Sequence, residues 1–176
     1  MESEVNNSDI KRLTIPITDK DINNLHVGDT VLISGCIYCG RDAVLPKVCE
    51  LIETGEVENT DINLKGNVIF HTAVSPAGVG PTSSNKLEIE GSFPILSKAG
   101  VKLHLGKGKI GENTIQELDK YNAVYAVIPP VTALLKSNTL EQRVVAFPEL
   151  GMEALHELKV ADYPAIIAAA HNESIY

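Results

Sequence analysis

Three short segments of this chain set a glycine beside a cation: Gly40-Arg41-Asp42, the run from Gly80 through Thr82 and Ser83 to Lys86, and Gly106-Lys107-Gly108-Lys109. Glycine lets the backbone approach a ligand closely, arginine grips a carboxylate through two parallel hydrogen bonds, and lysine adds a point charge. If the three segments meet, they suit a small di-anion better than a neutral ligand. Taken singly, each has a plainer reading. A loop lysine beside glycine is often only solvated, and a Thr or Ser after Gly-Pro more often caps a helix than moves a proton. A hydroxyl is also a poor base unless a neighbour accepts its proton.

The cysteines offer a competing chemistry, because Cys36-Ile37-Tyr38-Cys39 is a C-x-x-C pair with Cys49 ten residues beyond it. A zinc site normally needs two such pairs or added histidines, and a redox pair normally opens a helix straight after a strand. The lone pair here favours buried, structural cysteines, with a metal or redox role as the alternative. The five histidines are scattered. His71 and His104 fall on or near predicted strands, where satisfied, half-buried side chains are expected. Gly106-Lys107-Gly108-Lys109 lacks the spacing of a phosphate-binding loop.

These segments must be positioned by something, and each follows a run that reads as a strand. Arg12–Ile17, Val31–Ser34, Asn67–Ala73, Val101–Leu105, Ala123–Ile128, Val144–Phe147 and Ala165–Ala170 are apolar and rich in β-branched residues. Between them, helical spacing predicts a helix from Pro46 to Leu51, a short one after Ser83, and one capped by Ser92 with Pro94 in its first turn. Further helices are predicted from Asn113 to Tyr121, over one or two turns within 130–136, and from Met152 to Leu158. Strands alternating with helices indicate an α/β domain with a mixed, partly parallel sheet, and in such sheets ligands bind beyond the carboxyl ends of the strands. A single domain over residues 1–176 is expected, with residues 1–10 flexible.

Composition narrows the function classes. A formal net charge of −8 argues against a surface that tracks nucleic-acid phosphates. No run approaches the ~18 apolar residues a membrane span requires. The stretch Met1 to Ser8 lacks the basic and apolar regions of a signal peptide, so a cytoplasmic protein with reduced thiols is expected.

Taken as strings, Gly28 to Asp42, Gly80 to Glu88, Gly106-Lys107-Gly108-Lys109 and Pro148 to Ala154 resemble the β subunit of class I fumarase and L-tartrate dehydratase, equivalent to the C-terminal domain of single-chain class I fumarases. The resemblance spans nearly the whole chain. It implies a swivelling β/β/α domain that works with a separate α subunit, whose cysteines hold a four-iron four-sulfur cluster with one labile iron. It also implies a hydro-lyase that adds or removes water across a dicarboxylate such as fumarate, malate or tartrate, as a homodimer or heterotetramer, with no cluster on this chain. By the same resemblance Arg41 binds substrate, Thr82 is the proton-moving residue beside Ser83, Lys86 and Lys107 bind carboxylate, and Gly80 belongs to the substrate loop. Three positions depart from the family pattern: Lys86 stands for Arg, Ser83 for Thr, and Leu45 for a common His. A stand-alone dicarboxylate-binding or regulatory module is the alternative function, and a C-x-x-C thiol or metal protein a more remote one.

Overall fold

The computed structural model describes residues 10–75, 78–82, 86–128 and 138–175, with backbone alone at 75, 78–82 and 86–89. Strand β1 (Ile10–Thr14) leads to α1 (Asp19–Asn23). Thr18 starts that helix through a capping box: the Asp21 amide donates to Thr18 Oγ1 at 3.1 Å and the Thr18 amide donates to the Asp21 carboxylate at 3.0 Å. Strand β2 (Thr30–Cys39) is followed by α2 (Leu45–Glu53), which carries Pro46 in its first turn. Then come β3 (Val68–Phe70), the hairpin of β4 (Thr72–Ser75) with β5 (Gly78–Thr82), and α3 (Lys86–Lys98). The chain continues through β6 (Leu103–Gly106), α4 (Glu112–Lys120), β7 (Val124–Val127) and β8 (Thr139–Ala146). A 3-10 segment at Pro148–Glu153 precedes β9 (Leu155–Ala170) and the short β10 (Glu173–Ser174).

The strand pairings close on themselves. β2 pairs parallel with β3, β3 with β6 and β6 with β7; β7 pairs antiparallel with β9, and β9 antiparallel with β2. Five strands therefore form a ring, with β1, β8 and β10 attached at its margins. Successive side chains on a strand point to opposite faces, so a closed ring has an inside and an outside. Ile33, Phe70, Leu105, Ala126, Leu158 and Ile167 belong to the interior cluster, whereas their neighbours Tyr38 and Ile69 pack outside with Leu45 and Val48 of α2. Tyr125 and Ala168 pack outside with Phe93 of α3 and Leu118 of α4. The sheet is thus buried on both faces, and its strands read as continuous apolar runs rather than alternating ones.

The mixed, partly parallel sheet expected from the sequence is present, and several local readings are corrected. β2 runs ten residues, not four, because Gly35 lets it continue through a bulge. The run after Phe70 is a hairpin rather than a loop. Ser92 does not cap a new helix: it lies inside α3, which starts at Lys86 and holds Pro94 in its interior. No helix forms at Met152–Leu158. Gly151, at φ 60° and ψ −123°, interrupts the 3-10 segment, and Leu155 to Leu158 extend as β9 between β2 and β8. The threefold spacing of Met152, Leu155 and Leu158 fits a helix locally, but the two flanking strands supply partners that only an extended backbone can use. The turns expected within 130–136 lie outside the described residues. Among the described residues, no helix is long and apolar enough to cross a membrane.

Gly35 is the tightest point of β2. Its φ is +126°, and a Cβ there would stand 2.8 Å from Ile15 Cβ. Gly35→Ala is expected to destabilise the chain by about 1–3 kcal/mol, because the substitution adds both a clash and an unfavourable backbone conformation. The check is a urea titration: the midpoint should fall at constant slope, and an unchanged midpoint would show that the bulge accepts a side chain.

Candidate active site

The parallel order of β2, β3 and β6 brings their carboxyl ends side by side, and backbone hydrogen bonds stitch them just past the last ladder residues. The Gly40 amide donates to the Phe70 carbonyl at 3.0 Å, the His71 amide to the Leu105 carbonyl at 3.0 Å, and the Ile128 amide to the Gly106 carbonyl at 3.3 Å. The three glycine-cation segments therefore leave one rim of the ring: Arg41 after β2, the β4–β5 hairpin after β3, and Lys107 after β6. Gly80 and Thr82 lie in β5 and Lys86 opens α3, each placed by backbone; Ser83 lies outside the described residues. In the hairpin register Thr82 stands opposite Thr72.

Arg41 is held by a residue to which the sequence reading assigns no role. Its Nε lies 3.1 and 3.0 Å from the two carboxylate oxygens of Glu153, and its Nη2 lies 2.6 Å from Oε2. Both side chains are somewhat under one-third exposed. The hydrogen bonds that Arg41 donates to Glu153 raise the Arg41 pKa further, so the guanidinium stays charged and its plane is fixed. Glu153 closes the Pro148–Glu153 segment, 112 residues away in the chain. The only local signal for it was its place in a string that resembles the family.

Behind the hairpin sits a buried polar cluster. His71 and His104, expected half-buried, are both fully buried. His71 Nε2 is 3.3 Å from His104 Nδ1, and His104 Nε2 is 2.9 Å from Ser97 Oγ. Phe93 stacks on the His104 ring at 4.2 Å between centroids and tilts against His71 at 4.7 Å. Among the described residues His71 Nδ1 has no hydrogen-bond partner, whereas both ring nitrogens of His104 have one. Burial pushes the His71 pKa down to about 3, and burial together with the neighbouring His71 pushes His104 well below the usual value. Both rings are neutral in the folded chain near pH 7.

The cysteines do not converge. Cys36 is exposed, while Cys39, three positions along the same strand, is buried in the interior cluster. Cys49 lies within α2 and is buried in the cluster outside the ring. Burial raises the Cys39 thiol pKa strongly and the Cys49 thiol to about 11, which disfavours the thiolates a metal or redox site needs. Among the described residues, no group of three or more His, Cys, Asp or Glu is placed to hold a metal. Leu45, where the family commonly has His, is a core residue at 2% exposure.

Two neutral buried histidines make stability depend on pH. The unfolded chain binds protons at these rings near pH 6.5, whereas the folded chain does so only at much lower pH, so stability is complete above about 6.5 and falls as pH drops toward about 3. The His71 ring contributes a slope of up to about 1.4 kcal/mol per pH unit within that window, and His104 acts in the same direction. The doubly substituted H71Q/H104Q chain should flatten the stability profile between pH 6.5 and 4.5, measured by urea midpoints; an equal slope in both proteins would mean that the pair is protonated when folded.

The family model of the fumarase C-terminus matches residues 1–176. A protein of Methanocaldococcus jannaschii, provisionally named L(+)-tartrate dehydratase subunit beta, is 30% identical over 91% of this chain and 88% of its own length. The L(+)-tartrate dehydratase subunit beta of Escherichia coli K12 is 30% identical over 90% of this chain and 82% of its own length. A Geobacillus stearothermophilus protein provisionally named fumarate hydratase class I is also 30% identical, over 93% of this chain but only 33% of its own greater length. With the family model matching along its full length, and with relatives of equal identity both as separate subunits and within a longer chain, this protein belongs to the fumarase C-terminus family.

Proposed function

We propose that this chain is the β subunit of a cytoplasmic hydro-lyase that adds or removes water across a small dicarboxylate of the fumarate, malate or tartrate type. The observation that carries the reading is the shared rim, where segments bearing Arg41, Thr82, Lys86 and Lys107 leave the adjacent carboxyl ends of β2, β3 and β6. In this reading Arg41, oriented by Glu153, grips one substrate carboxylate, and Lys86 and Lys107 add positive potential. Thr82 moves the proton at the carbon next to the departing or arriving hydroxyl, with Ser83 beside it and Gly80 leaving room for the substrate. The divergent thiols of this chain do not suit a four-iron four-sulfur cluster. The reading therefore assigns that cluster to an α subunit, paired with this chain in an αβ assembly that is doubled as a heterotetramer.

The test is co-expression with a cysteine-bearing α chain, followed by assay of malate, fumarate and both tartrate enantiomers. Turnover by the pair and by neither chain alone is expected, with iron and sulfide recovered on α. Dicarboxylate binding by this chain alone, without turnover in any pairing, would favour a stand-alone binding module instead. In the active pair, Arg41→Ala should lose at least about tenfold in kcat/KM, roughly 1.4 kcal/mol of transition-state stabilisation, with little change in melting temperature.

Thr82→Ala separates catalysis from a structural role. If Thr82 moves the proton, kcat should fall by about 10²–10⁴ with KM nearly constant, and Ser83→Ala should be milder. A Thr82→Ala enzyme that loses about 1 kcal/mol of stability but turns over normally per folded molecule would assign Thr82 a structural role in the hairpin alone, since α3 begins only at Lys86 and Thr82 is not its cap.

A further inference from the structure

A hydroxyl that takes a proton from carbon must pass it on, and the rim where it would do so is the face that a partner subunit covers in the proposed assembly. The opposite end of the ring is open. There a cleft of about 390 Å³ is lined by Thr18, Asp19, Gly66, Ser97, Lys102 and Tyr121 among others. Gly66 and Lys102 sit just before β3 and β6, Ser97 near the end of α3, Tyr121 at the end of α4, and Thr18 and Asp19 at the start of α1, so the cleft lies at the amino ends of β3 and β6, whose carboxyl ends form part of the rim. Ser97 is thus shared between the cleft and the buried histidine pair.

We propose that His71, His104 and Ser97 form a proton relay that connects the hairpin carrying Thr82 with this cleft. The inference rests on the hydro-lyase reading for its substrate, but its geometry does not. At one end His71 directly precedes Thr72, the register partner of Thr82, and its Nδ1 is buried with no hydrogen-bond partner among the described residues. At the other end Ser97 is only 4% exposed yet lines the cleft. Between them run contacts of 3.3 and 2.9 Å through His104. The chain has two matched neutral states. In one, His71 Nε2–H donates to His104 Nδ1 and His104 Nε2–H donates to Ser97 Oγ. A proton arriving at His71 Nδ1 moves each of these hydrogens one step along, and the hydroxyl hydrogen of Ser97 leaves into the cleft. In the resulting state Ser97 donates to His104 Nε2 and His104 Nδ1–H donates to His71 Nε2. One proton enters, one leaves, and no ring remains charged, as a site this dry requires. Phe93 covers both rings and keeps water from short-circuiting the chain.

A single fixed network would serve structure equally well, so the test must read exchange between the two states. In the chain labelled with ¹⁵N at histidine, both rings should be neutral at pH 6 and should share the same tautomer at any moment, with two forms in exchange. Ser97→Ala should abolish that exchange while leaving the fold intact. Fixed tautomers in the parent, or exchange unaffected by Ser97→Ala, would overturn the relay, and this arm needs no enzyme activity. In the assembled complex, Ser97→Ala and His104→Gln should each lower kcat by at least about tenfold at constant KM and enlarge the solvent deuterium isotope effect. Unchanged kcat and isotope effect in Ser97→Ala would also overturn it. If the assembled parent hydrates or dehydrates none of the acids, the functional reading fails, while the tautomer measurement still decides whether the relay exists.

Discussion

Leu155–Ala170 closes the ring because its sixteen residues reach past β2 on one side and toward β8 and then β7 on the other. A strand of that length must bend to follow a curved wall, and it does so at Asp162, whose φ is +49°. There the Asp162 amide donates to Ser34 Oγ at 3.0 Å, opposite the bulge around Gly35. Pro164, which has no amide hydrogen to give, falls between the last residue paired with β8 and the first paired with β7, where one edge of β9 carries no described ladder bond. Closure removes the exposed edges that the parallel strands would otherwise offer, and it determines which side chains face inward.

That division into inside and outside explains the polar cluster as well as the apolar core. On β6, Leu103 and Leu105 face the interior, so His104 between them must face the helices. An imidazole there is shut off from the surface, and its neighbours supply the partners: His71 from the end of β3 and Ser97 from α3. The same helix brings Phe93, which fills the space that hydration would need. A buried polar group is costly unless it is satisfied, and one nitrogen of the pair has no partner among the described residues.

At the rim the decisive interaction is electrostatic. An unpaired arginine at a strand end would sweep through solvent, whereas the fork between Arg41 and Glu153 fixes the guanidinium relative to the ring. The carboxylate comes from the segment leading into β9, so the strand that closes the barrel also orients the candidate substrate-binding cation.

The local pattern of residues determined the α/β class, most strand cores, and the three segments that meet at the rim. These depend on short-range preferences: β-branched runs, glycine where φ is positive, and cations beside glycine. The family resemblance in four strings was equally legible, because those strings are contiguous. Tertiary structure alone decided the rest. Met152 to Leu158 could be helix or strand by spacing, and the neighbouring β2 and β8 made it strand. Ser92 and Pro94 carry the signs of a helix start, yet Phe93 and Leu96 are wholly buried against the sheet within a helix that begins six residues before Ser92. The pairing of Arg41 with Glu153 joins residues 112 apart and needs the segment leading into β9 in place, whereas that of His71 with His104 and Ser97 needs the parallel pairing of β3 with β6 and α3 packed across them.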